Sequence, residues 1–130
     1  EAEAHPLRRL APEGWLRSVL VARPELVGAA ELRPAEPPTP RDSVKDVAAS
    51  IAIGVADDGT AMVVACSVGI DLDIVPTAAD ARALLDPSAA LTIVVPTRDA
   101  HPVTERLAAR LLAPARIVTV DGDWRAGVVA

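Results

Sequence analysis

At 130 residues, 51% of them hydrophobic, the chain has the size of one domain and enough apolar material for a single core. A net charge of -5 argues against general attraction to a polyanion, because non-specific nucleic-acid affinity rests on clustered Lys and Arg, so a protein partner or a homodimer is the expected association. No apolar run reaches the roughly 18 residues of a membrane helix, the start lacks the apolar centre of a signal peptide, and a lone Cys66 permits no internal disulfide, so a cytoplasmic setting without membrane contact is expected.

The apolar residues are mostly Ala, Val, Leu and Ile, with Trp15 and Trp124 the only aromatics, which predicts a finely interdigitated aliphatic core and little surface for stacking bases. Glu1-Ala2-Glu3-Ala4 resembles the remnant of a secretion leader and reads as an expression scar. Residues 1–12 and 121–130 read as tails around a single domain spanning 13–120.

In chain order, Trp15, Leu16, Val19 and Leu20 repeat at helical spacing and predict a short amphipathic helix ending near Pro24. Pro34, Pro37, Pro38 and Pro40 then confine Leu32 to Glu36 to a short edge strand followed by an extended connector. Two strands, Ser50 to Ala56 and Ala61 to Ser67, flank Asp57-Asp58-Gly59-Thr60, where the Asp-Gly step suits the positive φ angles of a tight hairpin. The second strand is continuously apolar, as expected where both faces are covered by helices.

Ile70, Leu72 and Ile74 alternate with Asp71 and Asp73 and predict an extended segment up to Pro76. Thr77 with Asp80 forms a capping-box pattern for a helix carrying Ala81, Leu84 and Leu85 inward and stopping at Asp86-Pro87. A buried strand from Leu91 to Val95 follows, then a helix from Pro102 with Val103, Leu107 and Leu111 inward, and a last strand from Arg116 to Val120. The reading is an α/β fold, a single three-layer domain with a central mixed sheet: helix, three-strand meander, helix, strand, helix, strand.

Two stretches carry a family likeness. Pro24-Glu25-Leu26-Val27-Gly28 closes the first helix, and Asp58-Gly59-Thr60-Ala61-Met62-Val63-Val64-Ala65-Cys66-Ser67-Val68-Gly69 runs through the hairpin into its second strand. With the element order, they resemble the PD-(D/E)xK, or restriction-endonuclease-like, superfamily over roughly residues 13 to 120. The resemblance implies a nuclease fold in which an Asp early in the second strand and a Glu in the third bind Mg²⁺, while a Lys two residues beyond the Glu helps to activate water. Counted through the hairpin, those positions hold Ile51, Ala65 and Ser67. A hard divalent cation needs oxygen ligands that Ile and Ala do not offer. The implied protein is a degenerate member: a non-catalytic binding or assembly domain without a cofactor.

Other residues keep two alternatives open. A relocated acidic site drawn from Asp46, Asp71, Asp73 and Asp99, with Lys45 beside it, would bind Mg²⁺ or Mn²⁺ for a metal-dependent nuclease or hydrolase. Set against this, Asp71 and Asp73 also read as a solvated strand face, and Lys45-Asp46 as a charged turn. Thr97-Arg98-Asp99-Ala100-His101-Pro102 follows a buried strand into a helix start, the place where α/β sheets commonly bind small ligands. Ser67, His101 and Asp99 supply the types of a catalytic triad, although Cys66-Ser67-Val68-Gly69 lacks a nucleophile elbow and Val68-Gly69-Ile70 lacks a phosphate-binding loop.

Overall fold

Proline opens the first helix, α1 (Pro12–Ala22), in a computed structural model that describes residues 12–35, 50–69, 73–111 and 113–121. Leu16, Val19 and Leu20 are its buried stripe, spaced as one face of a 3.6-residue helix. After a 3₁₀ turn over Pro24–Val27, strand β1 (Ala29–Ala35) starts earlier than the prolines suggest. It tolerates Pro34 because it is an edge strand, and a bulge between Ala29 and Glu31 interrupts its pairing with β2.

Strands β2 (Ser50–Ala56) and β3 (Ala61–Cys66) form the expected antiparallel hairpin. Its loop differs in detail from a two-residue turn. The Gly59 N–H donates to Ala56 O at 2.9 Å, the Ala56 N–H donates to Thr60 O at 2.8 Å, and Gly59 alone takes a positive φ, of 87°. This is a three-residue loop closed by a left-handed glycine, and the Asp58 carboxylate stiffens it by accepting the Thr60 N–H at 2.9 Å.

The next stretch departs from the alternating pattern. Helix α2 runs Ile74–Leu85, so Ile74 is helical rather than extended, and Thr77 is no cap: its N–H donates to Asp73 O at 3.1 Å inside the first turn. Burial of Ile74, Val75, Ala78 and Ala81 at helical spacing decides the earlier start, and Pro76 costs nothing there because first-turn N–H groups lack helical partners anyway. Leu84, expected inward, is 59% exposed.

Strand β4 (Ala90–Pro96) lies parallel to β3, and β5 (Arg116–Val120) parallel to β4. Between them α3 (Pro102–Ala109) buries Thr104 and Ala108, while Leu107 is rotated toward solvent. The result is a five-stranded mixed sheet in the order β1-β2-β3-β4-β5, with an aliphatic core on each face. One core joins Ile51, Val63, Ala65, Leu91 and Ile93 to α2 and Ala108 of α3; the other joins Ala52, Met62, Val64, Cys66 and Val94 to Leu16 and Leu20 of α1. Among the described residues no helix is long and apolar enough to cross a membrane.

Candidate functional site

The hairpin register brings two of the three positions of interest together. Ile51 on β2 and Ala65 on β3 are direct cross-strand partners, 1% and 0% exposed, on the face covered by α2. Ser67 lies just beyond β3, where its N–H extends the pairing with β4 by donating to Val94 O at 3.0 Å. Shifting the register by one residue gives Ala52, Val64 and Cys66, which lie in the opposite core beneath α1. On either face the central strand presents aliphatic groups or a thiol, and none of these supplies a carboxylate for a hard cation.

Cys66 is itself inert. Burial in an apolar core pushes its thiol up to about 12, because ionisation there would strand a charge away from water; the Arg17 guanidinium pulls it down and Glu13 pushes it further up. Arg17 has a structural task as well. Its Nη1 donates to Ala35 O at 3.3 Å and to Ile51 O at 3.2 Å, tying α1 to the end of the β1–β2 ladder.

The segment after β4 is held by its own side chains. Thr97 Oγ1 lies 3.0 Å from Val120 O and 2.7 Å from Asp121 Oδ1, joining the ends of β4 and β5. Asp99 accepts the Gly69 N–H through Oδ2 at 2.7 Å and so anchors the chain leaving β3. His101 is the residue that caps α3, its Nδ1 accepting the Val103 N–H at 3.1 Å. Arg98 projects into solvent with a side chain 79% exposed, its Nε 3.9 Å from Asp99 Oδ1.

The fold does bring Ser67, Asp99 and His101 to one small cavity, as a triad would require. Their bonding is wrong for a relay. A nucleophilic triad needs His Nδ1–H donating to the carboxylate, yet here Nδ1 is an acceptor for a backbone N–H and Asp99 is engaged with Gly69.

The relocated acidic set is not assembled among the described residues. Asp46 and Asp71, like Lys45, lie outside them; Asp73 is exposed at the start of α2, and Asp99 is bound as above. No three His, Cys, Asp or Glu side chains converge as metal ligands among the described residues.

A comparison with solved structures finds a chain from the structure of EndoMS in apo form, a nuclease of restriction-endonuclease-like fold, at a TM-score of 0.55 and 14% identity. The fold is restriction-endonuclease-like. The match covers 88% of this chain and 48% of that one, so the chain spans about half the length of its structural neighbour. No family model matches the sequence, and no curated protein matches it. At this identity the likeness is one of architecture, and function rests on the residues themselves.

Proposed function

We propose that this restriction-endonuclease-like domain is non-catalytic and serves binding or assembly, with protein, including a second copy of itself, as its partner. One observation carries the reading: Ile51 and Ala65, cross-strand neighbours where the resemblance puts metal-binding carboxylates, are sealed in an aliphatic core. Hydrolysis of a phosphodiester in such folds depends on a divalent cation that activates water and neutralises developing charge, and an aliphatic pair supplies neither ligand nor water access. The net charge of -5 supports protein over nucleic acid as partner.

The test is incubation with single- and double-stranded DNA in Mg²⁺ and in Mn²⁺. No cleavage above a buffer control is expected. Dose-dependent cleavage that disappears in a carboxylate variant such as Asp71→Asn would overturn the reading. The partner preference is tested separately: DNA binding at physiological salt would refute it.

A further inference from the structure

Between the chain leaving β3 and the first turn of α3 lies a cavity of about 10 Å³, at the lower edge of the roughly 10–15 Å³ that a cavity needs to admit one water molecule. Ser67, Asp99, His101, Thr104 and Glu105 supply its polar lining, while Ile74, Val95 and Ile117 supply apolar walls. The Ser67 side chain is 1% exposed, and among the described residues its Oγ has no hydrogen-bond partner. A buried hydroxyl left that way is costly, so native interiors satisfy such groups with protein or with ordered water.

The neighbouring groups indicate what fits. Asp99 Oδ2 is occupied by the Gly69 N–H, and among the described residues its Oδ1 has the distant Arg98 Nε, at 3.9 Å. His101 Nδ1 is occupied by the Val103 N–H. The occupant must therefore donate to a carboxylate oxygen and exchange a hydrogen bond with a hydroxyl, within the volume of one small molecule. An anion would meet the carboxylates of Asp99 and Glu105, and a bare cation would face three aliphatic walls beside the positive end of a helix dipole. We infer that this cavity is a binding site for a single water molecule that bridges Ser67 Oγ and Asp99 Oδ1. The bridge ties the β3–α2 connection to the β4–α3 connection at the carboxyl ends of both parallel strands. It stands whether or not the domain cleaves anything.

The experiment compares the protein with Ser67→Ala by thermal unfolding and by water–protein Overhauser spectroscopy. A bridging water gives cross-peaks between Ser67 protons and a long-lived water, absent in Ser67→Ala, and the variant melts several degrees lower. Absence of those cross-peaks overturns the inference, and so does a melting temperature unchanged or raised in Ser67→Ala, the sign expected when a dry, unpaired hydroxyl is removed. Replacing NaCl with NH₄Cl separates water from a cation. Equal melting temperatures support water, whereas stabilisation by ammonium that is lost in Ser67→Ala overturns it.

Discussion

Replacing Ile51 with Asp introduces the residue type that the resemblance puts at that position in a metal-dependent nuclease, and the structure predicts that the protein will not tolerate it. Ile51 is 1% exposed, beside Ala65 at 0% and packed with Val63, Ile74 and Ile93. Removing its aliphatic side chain costs about 2–5 kcal/mol, as for other buried Ile truncations. The carboxyl must then either ionise in an apolar pocket or stay protonated at neutral pH, and each unit by which its pKa is raised from about 3.9 toward 7 costs about 1.4 kcal/mol at pH 7. A total of about 5 kcal/mol is a large part of the roughly 5–15 kcal/mol that holds a domain together.

Urea unfolding at pH 7, with and without millimolar Mg²⁺, measures this loss. A position lining a latent metal site would behave differently, since a cation at about 100 times its Kd returns about 2.7 kcal/mol. The burial argument is refuted if Ile51→Asp loses less than about 1 kcal/mol, below the range for a buried truncation, or if Mg²⁺ restores the loss. Should the variant fail to fold, Ala65→Ser puts a hydroxyl into the same core at a cost of about 1–3 kcal/mol, with the same insensitivity to Mg²⁺.

Three further outcomes are expected. In Gly54→Ala the new Cβ runs into the backbone carbonyl of Glu31 beside the β1 bulge, so β1 must shift; a loss of about 1–3 kcal/mol in chemical denaturation is expected, and an unchanged midpoint refutes it. The Cys66 thiol is protonated in the folded state up to about 12 against an ordinary value of 9.0, so its contribution to stability is complete below pH 9 and is lost as pH rises from 9 toward 12. At pH 10 that loss is on the order of 1 kcal/mol, and wild type should fall more steeply than Cys66→Ala between pH 8.5 and 10.5; parallel profiles refute it. Thr97→Val removes the hydroxyl between β4 and Val120 and should lose about 1 kcal/mol, with faster amide exchange at the end of β5, whereas unchanged exchange would show that the clasp contributes nothing.

What the sequence revealed, and what it hid, follows from which interactions decide each element. The hairpin was legible because Gly59 and the apolar runs beside it are local signals, and the continuous run Met62 to Cys66 announced a strand covered on both faces. The start of α2 was misread because Ile70, Leu72 and Ile74 alternate like a strand, whereas burial of Ile74, Val75 and Ala78 on a shared helical face decides the outcome. Ala81 is buried as expected, but Leu84 and Leu107, also assigned inward, are exposed while the small Ala78 and Ala108 sit inside, since close packing of a helix on a sheet selects size as well as polarity. Gly54 carried a signal that went unread: a glycine within a strand marks close backbone approach, here by β1 at its bulge. The bond of Asp99 was invisible because its partner depends on tertiary placement, Gly69 being 30 residues away, whereas the His101 cap on the Val103 N–H is local and went unread because histidine is not among the usual capping residues.

A strand that holds a hydrolytic metal must be dry enough in its middle to fold and wet enough near one end to admit water and substrate. β3 meets the first condition and fails the second. Burial continues without a break from Met62 through Ser67, and the backbone N–H groups beyond its end are spent on the fold, Gly69 donating to Asp99 and Ser67 to β4, which leaves only a cavity of about 10 Å³ beside the Ser67 hydroxyl. A carboxylate in such a strand would be an uncompensated charge in a low-dielectric core, so gaining a metal site would require reopening the space under α2.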